Sequence, residues 1–193
     1  MMSISFQELK NVVEAAILTS EVPVSIKQIQ SIFPVDDCPD NLTVERVLLE
    51  LQRDCDERGI ELKKLGDGYR FQSRPEYAQW LCKLSEIRPR RYSRALMETL
   101  SIIAFRQPVT RGDIENIRGV SVSTEIMRTL LSNEWIEQAG HKEVPGRPAL
   151  FRTTRPFLEY FNLESLDELP SLDLLERQAS QESETVEELD TED

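Results

Sequence analysis

The sequence predicts a mostly α-helical chain with small β-hairpins, an α+β architecture built twice over, and three observations predict it. Short amphipathic helical patterns opened by hydroxyl caps come in threes. Each trio is followed by two β-rich runs around a glycine-containing turn. The whole order then recurs about 81 to 85 positions downstream, and self-similarity at a fixed offset marks a repeated structural unit.

In the first half, Phe6, Leu9, Val12, Val13, Ala16 and Ile17 fall at helical spacing. Ser5 with Glu8 three residues on forms a capping box that satisfies free amides of the first turn, which predicts a helix over 6–18. Pro23 stops it. Ser25 with Gln28 makes a second box for a short helix carrying Ile26, Ile29 and Ile32 or Phe33, ending at Pro34. Val44, Val47, Leu48, Leu51 and Cys55 mark a longer third helix, ended by Gly59. Ile60 to Leu65 and Tyr69 to Ser73 flank Gly66-Asp67-Gly68, a turn able to supply positive φ, so the pair reads as a hairpin. Pro75 opens one more helix with Tyr77, Trp80, Leu81 and Leu84 on one face.

The second half repeats this order. Leu96, Leu100 and Ile103 give its first helix, and Pro108-Val109-Thr110 then matches Pro23-Val24-Ser25, with Ile114 falling on Ile29. A third helix is predicted over 122–131, strands over 134–138 and 149–153, and a longer hairpin tip between them that holds His141. Thr154-Arg155-Pro156 echoes Ser73-Arg74-Pro75 and opens a last helix with Phe157, Tyr160 and Phe161 on its face. Three helices followed by a two-stranded wing, twice, predict tandem winged-helix domains: 1–86, a basic linker over 87–92, 93–170, and an acidic tail over 171–193.

Composition bounds the function. The 193 residues suit one domain or two small ones, and no apolar run approaches the roughly 18 residues of a membrane span. The first twenty residues hold Glu8 and Glu14 and lack a basic start, which predicts a cytoplasmic protein without a membrane partner. Net charge is -12, divided as -5 over 1–86, +4 over 87–160 and -11 over 161–193. The tail from about Ser171 has no aromatic residue and reads as disordered. Cys38, Cys55 and Cys82 fit neither a disulfide framework nor a metal knuckle and read as reduced, partly buried thiols. The single histidine has no cysteine at a catalytic spacing, and no Gly-rich phosphate loop is present, so neither an enzyme nor a cofactor is expected.

A winged helix invites a DNA-binding regulator as the alternative reading, and the charge of the third helices weighs against it. Over 43–58 that helix has net charge -2, and over 121–131 Arg128 alone could read a base edge. Arg88, Arg90, Arg91 and Arg94 remain as a weak candidate for DNA contact, against an ordinary reading in which arginines of this region pair with Glu98, Asp113 and Glu115. The amphipathic segment after each wing can seal its own core or dock on another chain, and aromatic residues suit either use.

Four stretches together resemble one family: Gly66-Asp67-Gly68-Tyr69-Arg70-Phe71-Gln72-Ser73-Arg74-Pro75-Glu76-Tyr77, Leu100-Ser101-Ile102-Ile103-Ala104-Phe105-Arg106-Gln107-Pro108-Val109-Thr110-Arg111, Val144-Pro145-Gly146-Arg147-Pro148 and Leu166-Asp167-Glu168-Leu169-Pro170. The chain resembles the bacterial segregation and condensation protein B (ScpB) family over residues 5 to about 170, departing at Asp67, Phe71, Phe105 and Trp135. The resemblance implies a non-enzymatic subunit of a condensin-like complex on the nucleoid. Such a subunit is a homodimer through its first domain and binds the kleisin ScpA, which bridges an SMC ATPase; contact with DNA is indirect, through the complex. On that expectation Tyr77, Trp80, Leu81 and Leu84 are dimerisation candidates. Phe157, Tyr160 and Phe161, with the wing residues Val144, Arg147 and Leu150, are the kleisin-binding candidates.

Overall fold

The structure is a computed structural model, described over residues 4–84 and 92–169. The linker arginines Arg88, Arg90 and Arg91 and the acidic tail over 171–193 lie outside the described residues.

The first half runs α1 (Phe6–Thr19), β1 (Val24–Ser25), α2 (Ile26–Ser31), α3 (Asn41–Asp54), β2 (Ile60–Leu65), β3 (Gly68–Ser73) and α4 (Ala78–Leu81). Both capping boxes form: Ser5 Oγ accepts from the Glu8 amide, and Ser25 Oγ from the Gln28 amide. Each carboxylate or amide side chain reaches back to the cap, so two orphan donors are satisfied at each helix start. The strands form an antiparallel sheet in the order β1-β3-β2. Leu65 pairs with Gly68 across a two-residue turn in which Gly66 takes φ of +53°, a left-handed conformation that a side chain would strain. Leu9, Val13 and Ile17 of α1 meet Ile29 of α2, Val44, Val47, Leu48 and Leu51 of α3, and Leu62 of β2 in one core. At roughly 1.5–3 kcal/mol for each large side chain removed from water, this core rather than helix propensity holds the short elements.

The second half repeats the arrangement with α5 (Arg94–Arg106), β4 (Val109–Thr110), α6 (Arg111–Arg118), α7 (Thr124–Ser132), β5 (Ile136–His141), β6 (Ala149–Thr153) and α8 (Arg155–Tyr160), its sheet ordered β4-β6-β5. The repeated Pro-Val-hydroxyl motif has a physical explanation. The valine pairs with the wing, Val24 opposite Tyr69 and Val109 opposite Phe151, and the next residue caps the following helix. One dipeptide therefore closes the sheet and starts a helix. Gln107 adds a clamp absent from the first half: its Oε1 accepts from the Thr153 amide at 2.6 Å and the Thr153 hydroxyl at 3.1 Å, tying the end of α5 to β6.

A helical trio with a three-stranded antiparallel wing, present twice, is the expected α+β, tandem winged-helix fold. Three local expectations are corrected. The strand expected over 134–138 starts at Ile136 and runs to His141, because Glu134 turns the chain with φ of +56° and Trp135 drops into the core at 2% exposure. His141 accordingly ends a strand, opposite Ala149, and only 142–148 form the tip. The helix expected after Pro75 is a 3-10 turn plus the single helical turn α4, so Leu84 lies beyond it. Of the three thiols only Cys55 is buried, whereas Cys38 and Cys82 are exposed.

Candidate partner-binding surfaces

Among the described residues no three His, Cys, Asp or Glu side chains cluster as metal ligands. Burial pushes the Cys55 thiol up from its ordinary pKa, which keeps it protonated and unreactive. His141 meets the amide of Gln138 at 3.1 Å on an exposed edge.

The third helices present faces of mixed charge. Arg128 of α7 is ion-paired with Glu125 at 3.2 Å. On α3 the exposed positions are of mixed kind, Leu42, Glu45, Leu49 and Asp54 beside Asn41, Arg46 and Arg53, and Arg46 lies over the ring of Phe6 at 5.6 Å. Arg94 is ion-paired with Glu98, which also takes Arg118, and Arg111 pairs with Glu115, so these arginines follow the ordinary reading. Asp113 departs from it in taking Lys142 instead.

The segment after the first wing is fixed by Arg74. Its guanidinium donates to the carbonyls of Cys55, Asp56 and Arg58, just past the end of α3 where positive charge is favoured. Held there, the following turns expose Tyr77, Trp80, Leu81 and Leu84 at 40%, 57%, 38% and 83%. The Tyr77 and Trp80 rings lie 6.2 Å apart. Four large apolar side chains within eight positions form a patch of the kind that marks protein contacts.

The segment after the second wing divides instead. Phe157, expected at an interface, is 3% exposed and belongs to the core, which corrects the expectation of an exposed anchor and leaves it only an edge in the apolar groove beside Phe161. Phe161 is half-buried. Tyr160 is 54% exposed, and its ring meets Trp135 at 4.5 Å, Phe161 at 5.1 Å and Tyr92 at 6.3 Å. This aromatic cluster draws on three distant segments, so no local spacing could have announced it; Trp135 and Tyr92 were not among the candidates. Val144 and Arg147 lie in the wing tip, Arg147 paired with Glu143, whereas Leu150 is half-buried within β6 opposite Thr110. Beside Phe161, Met97, Leu100, Ala104 and Phe105 of α5 and Leu163 line an apolar groove of about 320 Å³. Its signal was present as a second apolar stripe on α5, next to the core-facing Leu96 and Ile103.

Two winged helices, each followed by a segment that exposes an aromatic side chain, define a class: a tandem winged-helix protein. The model of the segregation and condensation complex subunit ScpB family matches residues 11–172. The chain is 48% identical over 164 residues to the segregation and condensation protein B homolog of Coxiella burnetii, covering 85% of this chain and 78% of that protein. It is 41% identical over 167 residues to segregation and condensation protein B of Syntrophotalea carbinolica, covering 86% and 82%. A crystal structure described as a dimer of the ScpB N-terminal domain complexed with ScpA peptide is 32% identical, covering 42% of this chain and 98% of that one, with a TM-score of 0.36. The chain belongs to the ScpB family, a family of structural, non-enzymatic subunits.

Proposed function

We propose that the protein is a structural subunit of a bacterial condensin-like SMC complex, dimerising through residues 1–86 and holding the kleisin ScpA through the second half. The observation that supports this reading is the aromatic exposure after each wing, Trp80 at 57% and Tyr160 at 54%. One patch used for a second copy leaves the other for the kleisin. The second half is the basic one, at +4 over 87–160, so charge would speed encounter with an acidic segment while desolvated aromatics supply affinity. The SMC ATPase is reached through the kleisin and DNA through the assembled complex, which puts the subunit at the nucleoid in the cytoplasm.

The test is calorimetric titration of the full chain and of its Trp80→Ala and Tyr160→Ala variants with ScpA. One relative is described as an N-terminal domain complexed with ScpA peptide, so the first half must be titrated alongside. Loss of ScpA affinity confined to Tyr160→Ala supports the second half; loss confined to Trp80→Ala moves the kleisin to the first. An affinity for duplex DNA that collapses between about 50 and 200 mM salt would favour a DNA-binding regulator instead.

A further inference from the structure

The tip of the first wing touches the second half through a small polar contact. Lys64 Nζ reaches Glu164 Oε1 at 2.8 Å, and this bond holds the Lys64 pKa above its ordinary value. The Gly66 amide donates to the Leu163 carbonyl at 3.2 Å. Arg155, fixed on α8 by Glu159, donates to the Pro23 carbonyl at 3.4 Å. Gly68 permits that approach, since a Cβ there would stand 2.8 Å from both Arg155 Nη2 and the Pro23 carbonyl carbon. Between the halves lies a cleft of about 1020 Å³ lined by charges of both signs, among them Lys64, Asp67, Arg152 and Glu164.

We propose that the first wing tip is a latch, in which Lys64 and Gly66 close the two halves on the Leu163–Glu164 turn by a contact weak enough to open. The chemistry sets the strength. The ion pair is 41% and 48% exposed, a class worth about 0–1 kcal/mol and screened by salt, and it is backed by the Gly66 amide bond and the long Arg155–Pro23 bond rather than by an apolar core. Small polar contacts between domains of one chain make relative motion the default. Opening changes the span between the Trp80 patch and the Tyr160 cluster, so a partner contacting both halves would bind one state better and shift the population. That consequence rests on the function proposed above; the latch does not.

Amide hydrogen exchange of the full chain, without any partner, tests it at Gly66, whose acceptor lies in the other half. Raising salt from about 50 to 500 mM, or introducing Glu164→Lys, should speed exchange at Gly66 about two- to fivefold while the β2–β3 ladder amides keep their rates. The charge swap Lys64→Glu with Glu164→Lys should restore the slow rate. A Gly66 rate that ignores both salt and Glu164→Lys, a swap that restores nothing, or ladder amides that accelerate in step with Gly66 would each overturn the latch.

Discussion

Ile29 and Ile114, 85 positions apart, occupy the same place in the two halves. Each is the fourth residue after a hydroxyl cap, Ser25 and Thr110, and each is 0% exposed. The side chain one turn into the short helix is thus the bolt that fixes that helix to its core, since a helix of six or eight residues has little stability of its own.

Truncating either bolt should be costly. Ile29→Ala and Ile114→Ala are each expected to destabilise by about 2–5 kcal/mol, the sum of lost transfer energy and the cavity left behind. Urea unfolding followed at Trp135, which is buried in the second core, should report the Ile114 change and leave the Ile29 change to circular dichroism. Equal fluorescence responses to both would show that the halves unfold as one unit.

The Thr110 cap gives a pH-dependent term. Thr110 and Lys142 donate hydrogen bonds to Asp113, the Thr110 amide foremost, and hold its carboxyl well below the ordinary value, at about 2. A pKa lowered on folding stabilises the protein above the unfolded value, and that stability drains away as pH falls from about 4 to about 2. Thr110→Ala removes only the hydroxyl donor and should cost about 0.5–2 kcal/mol at neutral pH, whereas Asp113→Asn removes the titrating carboxyl and should flatten the acid limb of a melting-temperature profile. An acid limb identical to that of the parent would remove Asp113 from the account.

Trp80→Ala and Leu84→Ala test the first patch. Both side chains are more than half exposed, so thermal stability of the chain should change little while a dimer built on them weakens by about 1–3 kcal/mol. Sedimentation across a concentration series reads the difference. A monomeric mass for a fragment ending near Ile87, with the second half alone dimeric, would reverse the assignment.

Tyr160→Ala separates anchor from core cap. As an anchor it should weaken ScpA binding by about 1–3 kcal/mol; as a cap over Trp135 and Phe161 it should lower the melting temperature instead. If neither quantity moves, the kleisin assignment of α8 fails and Val144 at the wing tip is examined next.

Much of this fold was legible because its signals are local. Ser5 with Glu8 and Ser25 with Gln28 announced two helix starts, and the glycines at 66 and 68 announced a hairpin whose turn needs positive φ. Legibility failed where the outcome depends on what stands opposite. Tyr77, Trp80, Leu81 and Leu84 carry a helical apolar spacing, yet α4 is only one helical turn, since the described residues cover that face only in part.

Sequence alone therefore determined the two winged-helix units and their order, because caps, turns and apolar period act within a few residues of one another, while the family was legible in four resembling stretches. Tertiary structure alone decided that Phe157 is core while Tyr160 reaches the surface, that Trp135, Tyr92 and Tyr160 meet, and that Lys64 finds Glu164 a hundred residues away. The reason is geometric. A 3.6-residue period says which side chains share a face, but only the packing of distant segments says how much of that face is covered.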